Sequence, residues 1–461
     1  MATIRFETYG WNARIGAGFD ESGVVRVVDA IAKTWADRFE GYTVLVGYDT
    51  RRDSRHLAEV AGKVLAARGL LAVVSDRVCP TPALGWAVAH DPACVGGIMI
   101  TASRRPHTYG GIRVRQADGG PISALFARTV DQCIEATPTT ERGQISYANL
   151  VDDYLSHIER ETDTALVSNA GLRVVLDPLY GAGCGYAEQL FERIGCEVVV
   201  THGQPVPDFR GLHPHAAEPW VDECERLVTG RHADMGIVLN GDCSRHAIID
   251  ETGRLVSPHD VVPLVLEHIV RQRGSRGRVV ATAATSVRIE RQADRLDCDF
   301  TRVPVGFDSI YREFQDNDVI LGTEELGGIC IPQHMPERDG LLSAAMLVEY
   351  VAGASEGVRA LVEQCEAEIG AMEYLARDIR LDFGQSQRLR NLLPGLNPPE
   401  VLGEQPVMVT HPNGLRVELA DGSWVLLRMS SSGAGARVAC EAPGPRRASA
   451  IAAWAASAAR S

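Results

Sequence analysis

The sequence predicts an α/β protein of four domains, three related α/β units with parallel or mixed sheets and a smaller C-terminal α+β domain, set around a central cleft. Three observations lead there. Apolar runs of strand length alternate with amphipathic stretches of helix length over most of the chain. The runs Val95–Ile100, Asp234–Leu239 and Val319–Gly322 each end in a polar, glycine-bearing loop. Beyond residue 370 the pattern changes to short strands among turns, closed by an alanine-rich helix. The expected domains are 1–143, 144–252, 253–370 and 371–461.

The elements follow in order. Val24–Phe39 has helical spacing, Thr43–Gly47 reads as a strand, and a helix runs on to Leu65. Leu70–Val74 and Val95–Ile100 read as strands flanking a helix at Thr81–Ala89. The polar stretch Glu135–Gly143 reads as a linker. In the second unit, Leu172–Asp177, Cys196–Thr201 and Asp234–Leu239 are strands, and a turn at Pro178–Gly185 leads into a helix. The third unit carries a helix at Asp260–Gln272, strands at Arg278–Thr282 and Val319–Gly322, a helix after Ser309, and a long helix from Asp339 to Val351. The last unit holds strands at Gly414–Glu418, Trp424–Met429 and Ala436–Cys440.

The 461 residues are 45% apolar and 23% charged, the mix of a soluble globular protein. A net charge of −14 argues against a nucleic-acid surface, and any phosphate on a substrate must be met by a local arginine pocket and not by the overall field. Eleven scattered cysteines without a CxxC pair predict a reducing, cytoplasmic setting and no zinc knuckle. The opening residues do not read as a signal peptide, and no run reaches the length of a membrane-spanning helix. Lys33 and Lys63 are the only lysines, so a lysine base is unavailable outside about the first seventy residues.

The stretch Thr101–Val114 reads as an exposed loop that holds Ser103 at the C-terminal edge of a parallel sheet, where open α/β sheets place ligands. With three later loops, it resembles the α-D-phosphohexomutase family (phosphoglucomutase, phosphomannomutase, phosphoglucosamine mutase) over essentially the whole chain. The family moves a phosphoryl group between sugar hydroxyls through an enzyme phosphoserine, and each of its four domains supplies one loop.

In the serine loop, Thr101, Ala102, Ser103, Pro106, Tyr109 and Gly111 match the family pattern. The resemblance makes Ser103 the phosphoryl carrier. Arg104 and Arg105 replace a His-Asn pair, and Arg113 stands where the family has its acid/base lysine. Arginine stays protonated, so it binds phosphate well but accepts protons poorly. His107 is the nearest alternative base. In the family's metal loop, three alternating carboxylates and the phosphoserine hold magnesium. Here that loop is Asn240, Gly241, Asp242, Cys243, Ser244 and Arg245, so the implied Mg2+ ligands are Asp242, Ser103, Asn240 and Ser244, with one carboxylate left of three. Magnesium prefers charged oxygen ligands. Arg245 fits the family's loop-ending arginine. No organic cofactor is implied.

The sugar loop appears as Gly322, Thr323, Glu324, Glu325, Leu326, Gly327 and Gly328, with leucine replacing serine; Glu324 and Glu325 are the expected sugar ligands. Loss of that hydroxyl fits an altered sugar ring. The phosphate loop runs from Arg428 through Ser430, Ser431, Ser432 and Gly433 to Arg437, and hydroxyls with backbone N–H groups there can cradle phosphate. Phe6-Glu-Thr-Tyr-Gly-Trp11, Asp49-Thr-Arg51, Asp177-Pro178 and Gly181-Ala-Gly183 also match, although Asn12 sits where the family has arginine.

The resulting expectation is a phosphosugar mutase-like enzyme, an intramolecular phosphotransferase acting on a small phosphosugar, without nucleic-acid or membrane partners. Two alternatives stay open. One is a repurposed enzyme of isomerase, lyase or phosphatase type, working without metal; the other is a non-catalytic phosphosugar-binding protein.

Overall fold

The computed structural model describes residues 4–39, 41–135, 137–430 and 435–460. It divides into two compact units, Met1–His268 with Gly327–Leu361, and Ile269–Leu326 with Val362–Ser461.

The first unit holds two sheets. The first comprises β1 (Trp11–Arg14), β2 (Thr43–Tyr48), β3 (Leu71–Ser75), β4 (Cys94–Ile100), β5 (Tyr109–Gln116) and β6 (Ser146–Ala148), in the order β1-β5-β4-β2-β3-β6. β4, β2, β3 and β6 run parallel, whereas β5 is antiparallel to β4 and β1 to β5. Val44, Val46, Ile98 and Ile100 point into a core closed by Val24, Val27, Val28 and Ile31 of the helix Glu21–Phe39. These near-continuous apolar runs mark strands covered on both faces.

The expected exposed loop at Thr101–Val114 is corrected in two ways. Its second half is the strand β5, and Thr101, Ala102 and Ser103 are buried. The cause is the return of the chain: Thr101 N–H donates to the Gly111 carbonyl at 2.9 Å, closing the turn on itself. Two glycines permit the close packing. A Cβ on Gly110 would lie 2.1 Å from the Phe19 ring, and one on Gly111 would lie 2.4 Å from Asn12 Oδ1 and 2.7 Å from the Thr101 carbonyl oxygen.

The second sheet comprises β7 (Arg173–Asp177), β8 (Glu197–Val200), β9 (Met235–Leu239), β10 (His246–Ile249) and β11 (Leu255–Val256), in the order β11-β10-β9-β7-β8. β8, β7 and β9 are parallel, and β9 turns back antiparallel into β10, with Leu239 opposite His246. The loop Asn240–Arg245 is therefore the tip of a hairpin. The buried helix Gly340–Gly353 is capped by Asp339, whose carboxylate accepts from Leu341 N–H at 2.9 Å and Leu342 N–H at 3.0 Å.

In the second unit, β12 (Arg278–Thr282) pairs in parallel with β13 (Asp299–Val303) and β14 (Val319–Thr323). The short strand β15 (Ile329–Cys330) belongs to the first unit. An antiparallel sheet follows, β16 (Glu373–Ile379), β17 (Met408–Thr410), β18 (Leu415–Glu418), β19 (Trp424–Met429) and β20 (Ala436–Ala442), in the order β16-β20-β19-β18-β17. Ala448, Ile451, Ala452 and Ala455 of the helix Pro445–Arg460 share its core with Leu415, Leu427 and Val438. All eleven cysteines are unpaired, and among the described residues no single helix is long and apolar enough to cross a membrane.

Gly111→Ala should separate β5 from β1 and from the serine turn. We expect a loss of about 1–3 kcal/mol, the usual cost of overpacking, read as a lower urea midpoint at unchanged m-value.

Candidate functional site

Arg51 builds the serine turn. Its Nε donates to Asp49 Oδ2 at 3.0 Å, Nη1 to the carbonyls of Pro106 at 2.8 Å and Tyr109 at 3.1 Å, and Nη2 to those of Ser103 at 2.6 Å and Arg105 at 2.7 Å. The guanidinium also lies 5.0 Å from the Phe209 ring centroid. Asp49 in turn accepts from Thr101 Oγ1 at 2.6 Å and Ser54 Oγ at 2.9 Å. Ser103 N–H donates to Thr101 Oγ1 at 2.9 Å. This web holds Ser103 at φ 50°, in the left-handed region, with 2% of its surface exposed. Non-glycine residues take that conformation rarely, and they cluster at functional sites when they do.

The Ser103 hydroxyl donates to Asp242 Oδ1 at 2.9 Å, across from the β9–β10 hairpin. The same oxygen accepts from Asn240 Nδ2 at 2.9 Å and Ser244 Oγ at 2.7 Å, and Oδ2 accepts from Thr81 Oγ1 at 3.0 Å. Asn240 Oδ1 is taken by the Arg245 backbone N–H at 3.0 Å, so the amide turns its NH2 edge toward Ser103 Oγ, at 3.3 Å. Burial opposes the charge on Asp242. Arg113, the Ser244 and Ser103 hydroxyls and Arg245 outweigh it and hold the carboxyl below its ordinary value. The approach of the two loops requires glycine. A Cβ on Gly241 would lie 3.0 Å from both the Ser103 carbonyl oxygen and Pro214 Cβ, and one on Gly181 would lie 2.8 Å from the Gly241 Cα.

Ser103, Asn240, Asp242 and Ser244 thus meet. Arg113 and Arg115 lie two apart on β5 and so on one face of it. Arg113 Nη1 donates to the Tyr9 carbonyl at 3.3 Å, and its Nε is buried without a hydrogen-bond partner. Burial lowers its affinity for the proton to about 10, against the pull of Asp242, and Arg338, Arg115 and Arg245 push the same way as burial. Arg115 Nη1 and Arg338 Nε both pair with buried Glu337, at 2.8 and 2.7 Å. Arg104 and Arg105 are exposed, the latter 5.3 Å from the Tyr109 ring centroid, and His107 is half-buried on the same turn.

Sequence reasoning missed Thr81, the Arg115–Glu337–Arg338 cluster, and the segment His213-Pro214-His215. The Pro214 carbonyl accepts from Gly241 N–H at 3.1 Å, which seats that segment on the hairpin. Burial drives the His215 imidazole down to about 3, helped by Arg104, Arg245 and His213. The closeness of this segment to the serine turn, where a Cβ on Gly241 would lie 3.0 Å from both Pro214 Cβ and the Ser103 carbonyl oxygen, carried no signal in spacing, because more than a hundred residues separate them.

The second unit holds its own cluster. Arg428 and Arg437 are direct partners across β19 and β20. Buried Glu325 binds both, Oε2 to Arg428 Nη2 at 3.2 Å and Oε1 to Arg437 Nε at 2.7 Å, and Arg437 Nη1 reaches Asp378 at 3.1 Å. Burial works against the Arg437 charge, but Glu325 and Asp378 hold it protonated more firmly than usual. Glu324 is half-buried at the end of β14, and Ser430 N–H donates to the Gly435 carbonyl at 3.0 Å. Ser432, expected in the phosphate loop, lies outside the described residues.

Two outcomes test this geometry. Arg51→Met leaves Asp49 buried without its cation, so we expect a loss of about 3–5 kcal/mol and faster amide exchange across residues 101–109. His215 is neutral in the folded chain down to about pH 3, whereas the unfolded chain takes up a proton near pH 6.5. The unfolded state binds more protons in that window, so stability falls as pH falls through it, by up to about 1.4 kcal/mol per pH unit for this group. His215→Asn should flatten that dependence in urea titrations run at neutral pH and at about pH 5.

Comparison with known proteins follows the same lines. The chain matches the family descriptions phosphoglucomutase/phosphomannomutase, alpha/beta/alpha domain I over residues 3–141, domain II over 152–253 and domain III over 257–368. It is 28% identical to a phosphoglucomutase/phosphomannomutase of Thermococcus kodakarensis, covering 70% of this chain and 71% of that one. It is 29% identical to a phosphoglucosamine mutase of Synechococcus elongatus, covering 70% and 68%. A crystal structure of a candidate phosphomannomutase from Thermus thermophilus superposes with a TM-score of 0.88 at 27% identity, covering all of both chains. The Aspergillus fumigatus N-acetylphosphoglucosamine mutase, solved with GlcNAc-6P and magnesium, shares the fold at TM-score 0.62 and 12% identity over 100% of this chain and 96% of that one. With three domain families matched in order along the chain, this protein belongs to the α-D-phosphohexomutase family.

Proposed function

We propose that the chain is a phosphosugar mutase in which Ser103 carries the phosphoryl group. The observation that supports this best is the Ser103 hydroxyl itself, fixed on a left-handed turn and hydrogen-bonded to Asp242 at 2.9 Å, with Arg113 and Arg245 bearing on the same carboxylate. Phosphorylated Ser103 gives its phosphoryl group to the free hydroxyl of a hexose monophosphate: the Ser103 Oγ–P bond breaks, a P–O bond to the sugar forms, and the sugar hydroxyl's proton passes to Ser103 Oγ. The hexose bisphosphate then returns its other phosphoryl group: that sugar O–P bond breaks, the Ser103 Oγ–P bond forms again, and the serine proton goes to the departing sugar oxygen, which completes the isomerisation. Phosphoryl transfer asks the protein mainly for positioning and for positive charge on the transferring group.

The proton needs a carrier, and arginine at position 113 is a poor one. His107, half-buried on the serine turn itself, is the candidate for that task, because the burial and cations that push His215 down to about 3 leave that imidazole a weak base. In the second unit, Arg428 and Arg437 are suited to the substrate's unreacting phosphate, and Glu325 to sugar hydroxyls. The substrate class is a hexose phosphate.

The donor set at Ser103 does not suit magnesium. One carboxylate is present, its oxygens already take four side-chain donors, and Asn240 offers an NH2 edge, which cannot ligate a cation. Among the described residues, no group of three or more His, Cys, Asp or Glu side chains is placed to hold a metal ion.

Hexose 1- and 6-phosphates, incubated with enzyme and a trace of hexose bisphosphate, should interconvert in a phosphorus NMR assay. Ser103→Ala should abolish the interconversion while still binding substrate in a thermal-shift assay. Interconversion at the wild-type rate in Ser103→Ala would remove the serine from the reaction, and release of inorganic phosphate alone would point to hydrolysis instead.

A further inference from the structure

We infer that the charge of a phosphoryl group on Ser103 is met by the guanidinium of Arg113, within its arginine cluster, and not by a divalent cation; the inference rests on Ser103 being the phosphoryl carrier.

The position a cation would take is already spanned by hydrogen bonds. Ser103 Oγ, Asn240 Nδ2 and Ser244 Oγ all converge on Asp242 Oδ1, within 2.7–2.9 Å. Each of these contacts presents hydrogen, not a lone pair, to the carboxylate. An added cation would have to reverse the hydroxyls, and it could not reverse Asn240, whose oxygen is held by the Arg245 N–H at 3.0 Å. A cation would also enter among guanidinium groups that already repel one another, since Arg115, Arg245 and Arg338 all weaken the hold of Arg113 on its proton.

The positive charge is nevertheless present. Arg113 is the strongest opposite charge felt by Asp242, and Asp242 is the strongest opposite charge felt by Arg113. Arg115 and Arg338 have a separate counter-ion in Glu337, at 2.8 and 2.7 Å. Arg113 also keeps a buried Nε–H without an acceptor. A buried donor left unpaired is costly and marks a place where an acceptor belongs. Phosphorylation removes the Ser103 proton that now points at Asp242 and puts anionic oxygens in its place. That change turns an attraction into a repulsion, and it is relieved if the same guanidinium that balances Asp242 turns its open N–H to the phosphoryl oxygens. Arginine presents donors in a fork that fits such oxygens bidentately.

The experiment is phosphoryl loading of the purified protein by hexose 1,6-bisphosphate, read as intact mass with peptide mapping to Ser103. It is run once in excess EDTA and once in magnesium chloride. We expect loading at equal rates in both. Arg113→Gln should load roughly 10²-fold more slowly in either buffer, as when an oxyanion donor is removed, and Arg113→Lys should recover part of the loss. Loading that requires magnesium overturns the inference while leaving Ser103 as carrier. An Arg113→Gln protein that loads like wild type overturns the role of Arg113. Absence of loading in both buffers overturns the carrier reading and this inference with it. The wild-type comparison needs no variant to fold. As a converse, Asn240→Asp combined with Ser244→Asp rebuilds three alternating carboxylates and should gain magnesium binding by calorimetry where wild type shows none. Micromolar magnesium binding by wild type would also overturn the inference.

Discussion

The ion pair between Asp49 and Arg51 is the constraint on which the rest of the first unit's site depends. Both groups are almost fully removed from water, and every N–H direction of the guanidinium has an acceptor. A buried pair of charges is stabilising only when its remaining hydrogen bonds are satisfied this completely. Four of the acceptors are backbone carbonyls of the serine turn, so Arg51 fixes main chain, not merely side chains. Lysine, with a single ammonium, could not reach four carbonyls and a carboxylate at once. The left-handed backbone of Ser103 is therefore enforced from outside the turn, and the hydroxyl has little freedom left when it meets the hairpin.

The hairpin supplies the opposite kind of constraint. Asp242 gathers hydroxyls and an amide from three separate segments, Thr81, Ser103 and its own loop. Its charge is what makes them converge, and the arginines behind it keep that charge in place despite burial. Glycine at 241 and 181 lets the backbones come close enough for the contact to form. The site is thus assembled from short polar side chains around one anion, with guanidinium groups behind.

Much of this was legible in the sequence because its causes are local. Val95–Ile100, Asp234–Leu239 and Val319–Gly322 read as strands from their apolar runs alone, and each lies where expected to within a residue or two. Ser103, Asn240, Asp242 and Ser244 could be nominated because each belongs to a contiguous motif. What could not be read depends on contacts across the chain. Thr81 is 161 positions from Asp242, and neither Glu337 nor His215 carries a pattern linking it to β5 or to the hairpin. The burial of the serine turn was also hidden, because Arg-Arg-Pro-His reads as solvated until Arg51 and Gly111 are seen to fold the backbone beneath it. Arg428 and Arg437 were expected to meet phosphate and Glu325 to meet sugar. Strand alternation across β19 and β20 would have put the two arginines side by side, but not the glutamate between them.

That glutamate has a consequence of its own. Glu325 is the anion that the two arginines grip, so under the proposed function the second unit's cluster carries a built-in competitor. A visitor gains only the difference between its own hold on the guanidinium groups and that of the carboxylate it displaces. Small anions that offer charge alone must outcompete a tethered rival that is always at hand. Under the proposed function, a sugar phosphate would bring hydroxyls to the released glutamate as its phosphate takes the arginines, leaving both sides of the exchange satisfied. The cluster would therefore sort its guests by whether they satisfy both sides of a swap, and free orthophosphate would be a poor inhibitor even where it is abundant.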